Sequence, residues 1–169
     1  MKPQPAEYES EYLKTYVDIV PDGDILEILN ELKSSTHKLL SNCSEAQGNK
    51  AYAEGKWTLK EVIGHIIDTE RVFSYRAMCI ARGEKQSLPS FDQDLYVVEG
   101  KFNNRTLIDI ANELAAVRTA NLAMFKSFDE TMLSHSGLSN GKRINVKTLL
   151  YITAGHEIHH LNIIKERYL

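Results

Sequence analysis

Two histidines, His156 and His160, stand four residues apart in the run AGHEIHH, and a third, His65, lies far upstream in WTLKEVIGHIIDTER. A spacing of four on a helix puts two imidazoles on one face, one turn apart. Two imidazoles so placed can ligate one transition ion, and a third from another helix would complete a three-histidine site with coordination positions to spare. On a helical projection His156 and His160 share the face of Leu149, Thr153 and Ile163, which is the apolar face of their segment. A buried imidazole must be hydrogen-bonded or ligated. The pair therefore reads either as metal ligands or as hydrogen-bonded core histidines. His65 sits at the edge of its stripe, beside Val62, Thr69 and Val72, and by itself reads as a partly exposed structural residue. His159, near the stripe edge, is a substitute ligand, whereas His37 and His135 have no partner pattern and read as solvated.

The string HEIHH also matches H-E-x-x-H, the zinc-protease helix in which Glu157 would be a general base. The elongated form of that motif needs glycine at 163 and histidine at 166, where the chain has Ile163 and Glu166. Glu166 follows on the same helix and cannot fold back as a ligand, so the downstream context argues against a protease. Two carboxylates remain as candidate catalytic groups. Asp68, one turn after His65, either orients an imidazole or acts as a base; its plainer reading is a surface ion pair. Glu157 either approaches the site or makes a polar contact between helices. Arg167 is a candidate anion-binding group or a cap on the end of the bundle, and Asp92, Asp94 and Tyr96 are candidates to cover a pocket mouth.

Four amphipathic helices are expected to carry these residues. The first spans about Asp24 to Cys43, with Asp22 or Asp24 as its cap. The second starts at Thr58, where Thr58 and Glu61 form a capping-box pattern and Trp57 and Val62 flank it as a hydrophobic staple; it stops near Gly83. The third spans about Thr106 to Phe128, and the fourth starts at Asn145 and continues almost to Leu169. Four long amphipathic segments without a strand-rich stretch predict an all-α, four-helix bundle. The connection from Glu84 to Arg105 is long enough to be a crossover or a functional loop. Asn140-Gly141 predicts a small β-hairpin before the fourth helix. Tyr8, Tyr12 and Tyr16 predict a short amphipathic stretch in an N-terminal arm, residues 1–20, packed on the bundle.

The 169 residues suit one domain, 1–169, that buries roughly two-thirds of its unfolded surface. A net charge of −3 leaves no broad basic surface for nucleic acid. The apolar runs are too short to span a membrane, and the polar start MKPQPAEYESEY lacks the apolar core of a signal peptide. The expected location is cytoplasmic. Cys43 and Cys79, in no paired motif, read as structural thiols.

The segments AYAEGKWTLKEVIGHIIDTERVFSYRA, LPSFDQDLYV and YITAGHEIHHLNIIKERYL resemble the DinB/YfiT-like family of small bacterial proteins, and the likeness covers almost the whole chain. Its nearest branch is described as metal-dependent hydrolases and is related to bacillithiol-type S-transferases. The resemblance implies up-down-down-up connectivity, with the Glu84–Arg105 loop as the crossover between the second and third helices. It implies one divalent transition metal, nickel or zinc, held by His65, His156 and His160, and a homodimer. Ser90 departs from the glycine common in the family's LPGFD loop, which bears on substrate fit. The implied function is hydrolysis, or transfer of a low-molecular-weight thiol onto an electrophilic small molecule. A non-catalytic metal-binding structural or stress-response interaction module is the alternative.

Overall fold

In the computed structural model, which describes residues 2–169, every long helix begins at a side chain able to cap it. Helix α1 is Glu11–Ile19 and α2 is Ile25–Ser41, where Asp24 accepts hydrogen bonds from the backbone N–H groups of Leu26 and Glu27. After the short α3 (Glu45–Gly48), α4 runs Leu59–Ala81 behind the Thr58–Glu61 capping box. Helix α5 is Gln93–Gly100, and α6, Leu107–Phe125, is capped by Thr106. Helix α7 (Glu130–Ser134) leads into strands β1 (Ser136–Ser139) and β2 (Lys142–Asn145), and α8 is Val146–Arg167 with Asn145 as its cap. The caps matter because each satisfies backbone donors that a helix start leaves without partners.

The four long helices lie within two or three residues of the spans expected. The hairpin is also present, with Asn140 and Gly141 both at positive φ (51° and 72°), as a two-residue primed turn requires. Four shorter helices differ from expectation. The Glu84–Arg105 connection contains α5 rather than plain loop, and the N-terminal arm forms a full helix on α8, burying Tyr8 and Tyr16 but leaving Tyr12 outside. Helices this short are marginal on their own and form here because the bundle gives them a surface.

Helix α2 packs on α6 and α8, and α4 packs on the same two, so the consecutive α2 and α4 lie across a diagonal. Paired residues give the directions. His37 meets Asn112 while Arg118 meets the Leu29 carbonyl, so α2 and α6 are antiparallel. Asn103, just before α6, meets Glu61, and Arg118 meets Glu70, so α4 and α6 are parallel. His65 meets His156, and Ala81 meets His135, so α4 and α8 are antiparallel.

The core is divided into two apolar clusters. One holds Leu29, Ile80, Phe125 and Leu149; the other holds Leu40, Ile63, Ile110 and Ile164. A hydrogen-bonded polar layer joins all four long helices through buried Thr36 from α2, Glu70 from α4, Arg118 from α6 and Glu157 from α8. Arg118 binds Glu70 through Nε and Nη2 at 2.7 and 2.8 Å, Glu157 through Nη2 at 2.6 Å, and the Leu29 carbonyl through Nη1 at 2.9 Å. The Thr36 hydroxyl donates to the other Glu157 oxygen at 2.6 Å, and Asn121 donates to Glu70 at 3.0 Å. Desolvation opposes the Arg118 charge, but the pull of Glu157 and Glu70 outweighs it and holds the guanidinium above its ordinary range. Pairing and hydrogen bonding of this kind offset the desolvation cost of the buried charges.

Candidate metal centre

The three histidines converge on the α4–α8 seam. The Nε2 atoms of His65 and His156 are 3.0 Å apart, those of His156 and His160 are 3.2 Å apart, and one ring nitrogen from each lies within 4.8 Å of the other two. Three nitrogens bound to one ion at ~2.0–2.1 Å would sit about 2.9–3.4 Å from one another, between right-angled and tetrahedral arrangements. Both measured separations fall in that interval.

Each ring brings one lone pair when neutral. Burial pushes the His65 pKa down to about 4 and that of His160 down to about 3. The His156 pKa falls well below its ordinary value through burial and then through its histidine neighbours. A purely hydrogen-bonded cluster fits poorly, because the His156 Nε2 faces two other ring nitrogens and can donate to only one. A single cation satisfies all three lone pairs at once, so the donor set fits a divalent transition ion. Among the described residues no fourth His, Cys, Asp or Glu joins the group.

Two glycines allow the surrounding elements to close on these ligands. Gly64 precedes His65, and a Cβ there would lie 2.2 Å from the Phe102 ring, which arrives from the crossover between α5 and α6. Gly155 precedes His156, and a Cβ there would lie 2.1 Å from the Tyr16 carbonyl oxygen on α1. Aromatic rings complete the shell: Trp57 against His65 at 5.0 Å between centroids, and Tyr16 and Phe73 edge-on to His156 at 5.6 and 6.0 Å. Beside His160 opens a cavity of about 280 Å³ walled by Trp57, Tyr52, Tyr168 and Asp94. The α5 segment therefore does border the site, through Gln93 and Asp94, whereas Asp92 caps the helix and Tyr96 packs on Phe91.

The other candidates lie elsewhere. Both Glu157 oxygens are taken by Arg118 and Thr36, so this carboxylate belongs to the mid-bundle layer and touches no imidazole. Its side chain leaves the helix about 100° round from that of His156, towards α2 and α6. Asp68 sits 3.5 Å from Arg71, and burial, partly offset by Arg71, raises its pKa. His159 is exposed and outside the cluster. His37 binds Asn112 and His135 binds the Ala81 carbonyl. Arg167 stacks over Tyr52 at 5.2 Å, at the edge of the cavity.

Glu70 and Arg118 were not singled out from sequence, although a signal exists. Each occupies an interior position of its own apolar stripe, four residues from Ile66 and from Leu114 and Leu122, respectively.

The family model of the DinB superfamily matches residues 28–164. A curated protein of Oceanobacillus iheyensis, named as a candidate metal-dependent hydrolase, is 26% identical over 147 residues, 84% of each chain. Among solved structures, YfiT from Bacillus subtilis, described as a probable metal-dependent hydrolase with an unusual four-helix bundle topology, superposes with a TM-score of 0.77 at 15% identity. That match covers 98% of this chain and 90% of YfiT. A mycothiol-dependent maleylpyruvate isomerase superposes with a TM-score of 0.66 at 18% identity over 86% of this chain and 61% of its own. The match to the family model spans most of the chain and all three histidines, and the chain belongs to the DinB superfamily.

Proposed function

We propose that this chain is a metal-dependent enzyme acting on a small molecule, with His65, His156 and His160 holding one divalent transition ion, nickel or zinc. The observation that carries this reading is that His160, one of the three clustered histidines, lines a cavity, while no fourth His, Cys, Asp or Glu among the described residues joins the group. A structural metal site is closed by protein on every side, whereas a reactive one keeps a position free. When bound, the ion supplies Lewis-acid activation of a water or thiol near neutral pH. The protein's own contribution is to keep three imidazoles neutral by burial, to fix their rings with Trp57, Tyr16 and Phe73, and to limit water with an aromatic wall.

Hydrolysis is the first reading, supported by the name of the curated relative. Transfer of a low-molecular-weight thiol is the second, favoured by the shared fold of a mycothiol-dependent enzyme. Both use the same cavity, whose lining carries Lys56 and Asp94 as its charged groups, with Arg167 stacked over the lining residue Tyr52. Neither Asp68 nor Glu157 is needed as a base in this reading: the first is paired with Arg71 and the second with Arg118.

The test is to load the purified protein with zinc or nickel, count bound metal, and assay ester hydrolysis beside thiol conjugation for wild type and His65→Ala. About one equivalent of metal, and an activity lost in the variant, is expected. Equal activity in both proteins would remove this site as its source. Tight metal binding with no exchangeable position would support the structural module instead.

A further inference from the structure

A second cavity lies along the same α4–α8 seam, on the other side of Phe73 from the histidines. Its volume is about 300 Å³, and its wall includes Phe73, Leu149 and Ile152, with Tyr12 and Lys142 at the rim. Phe73 also lies edge-on to His156, 6.0 Å between centroids, so one ring touches both this cavity and the histidine cluster. The floor carries Arg76, which is only 8% exposed.

Arg76 is unlike Arg118. Arg118 has two carboxylates; Arg76 donates through Nη2 to the Pro89 carbonyl at 2.6 Å and has no acidic partner. Burial alone works on its guanidinium, lowering its pKa, and no neighbouring charge answers it. Every fully buried side-chain nitrogen or oxygen among the described residues has a hydrogen-bond partner. The donors that Arg76 does not spend on Pro89 are therefore not sealed off: the side chain lines this cavity and also a neighbouring one of about 240 Å³ bounded by Pro89, Phe91 and Tyr96. Lys142 adds a second positive charge at the mouth, whereas Arg143, also on the wall, is already held by Glu9 and by the Ala6 carbonyl. A guanidinium buried without a counter-charge is costly, and a planar carboxylate matches its fork of donors. The remaining wall is largely aliphatic and aromatic. Small-molecule pockets commonly combine an apolar lining with a few placed polar groups, and 300 Å³ is about ten water volumes at ~30 Å³ each.

The structure assigns to this cavity a second small-molecule site, for an organic carboxylate with a compact apolar body, whose headgroup pairs with Arg76 and Lys142 and whose body packs on Phe73, Leu149 and Ile152. The site is separate from the three-histidine cluster and does not require an ion there.

The experiment uses 3-phenylpropanoate as probe and 3-phenylpropan-1-ol as its uncharged counterpart, titrated into the full chain by calorimetry and by amide shift mapping, with and without zinc. The carboxylate is expected to bind at least about tenfold more tightly than the alcohol, with the same affinity in both metal states. Shifts are expected at Leu13, Ser139 and Asn140. Arg76→Gln should abolish the preference for the carboxylate. Because Arg76 also holds the Pro89 carbonyl, Arg76→Lys and the rim variant Lys142→Glu accompany it. The first should retain part of the preference, and the second should weaken carboxylate binding severalfold without changing thermal stability. Equal binding of the two probes, no binding of either at millimolar concentration, shifts centred on Trp57 and His160, or loss of binding in His65→Ala would each overturn the assignment.

Discussion

His156 and Glu157 are consecutive residues, both buried in α8, and the protein treats their ionisable groups in opposite ways. His156 faces two other histidines and no acid, and is stripped of its proton by burial. Glu157 faces Arg118 and Thr36 and forms a layer that joins α2, α4, α6 and α8. Burial of a titratable group must end in neutralisation or in pairing. The molecule uses neutralisation where lone pairs have to stay free and pairing where four helices have to be held in register. The two regions share a helix turn, yet the clamp's charges do not reach into the metal site as hydrogen-bond partners. That separation is what leaves three ring nitrogens pointing at one another.

The strongest way to break the contrast is Arg118→Met. With two buried carboxylates left unpaired, the cost is expected to be about 3–5 kcal/mol, read by urea unfolding. Adding Glu70→Gln and Glu157→Gln to that variant should restore much of the loss, because the uncompensated charges go with them. If Arg118→Met alone unfolds no more easily than wild type, the layer is not a clamp.

Acid probes the other side. In the metal-free chain the three histidines have native pKa values below the unfolded value of about 6.5, so the unfolded chain binds more protons in the interval between. Stability is then fully present above about 6.5 and falls as pH drops towards 4. The fall over the first unit is about 1 kcal/mol per buried histidine. Denaturation curves of the metal-free protein at stepped pH give this slope, and a flat response from 6.5 to 5 would contradict neutral buried rings.

Gly155→Ala tests how tightly α1 is fitted over His156. The added methyl meets the rigid Tyr16 carbonyl, and about 1–3 kcal/mol of destabilisation with weaker zinc binding is expected. Unchanged stability and affinity would mean that α1 moves aside freely. The smallest effect is expected for His159→Ala, next to both regions and part of neither. Its stability should stay within about 0.5 kcal/mol and its metal stoichiometry should be unaltered.

The long helices were legible because their signals are local: Asp24 and Thr58 cap where caps are expected, Thr106 and Asn145 stand where helices are expected to start, and Asn140-Gly141 turns where a hairpin is expected. His156 and His160 were legible for the same reason, being neighbours on one face. His65 needed the family resemblance, since a single histidine has no spacing to read. The clamp was hidden because its partners lie 48 and 39 residues apart, and a charged side chain on a stripe looks like an interruption until its partner is known. Helix α5 was hidden because eight residues with one buried side chain, Val97, carry almost no periodic signal. The tyrosine spacing of the arm did announce packing, but Tyr12 turns outward to bond the Tyr16 hydroxyl.

The close approach at the two Gly-His pairs has a consequence for assembly. His65 and His156 are separated by 91 residues, and the elements wedged against Gly64 and Gly155 come from two further parts of the chain, the crossover and α1. Closing contacts of that sequence separation is among the slow, entropically expensive events of folding. The three-histidine cluster is therefore complete only when α4 and α8 are docked on one another. Occupancy of the site would act as a latch on the finished topology, since an ion held by the native state alone stabilises it by mass action. Any opening that lifts α8 would carry His156 and His160 away from His65 and so weaken the hold on an ion bound by all three.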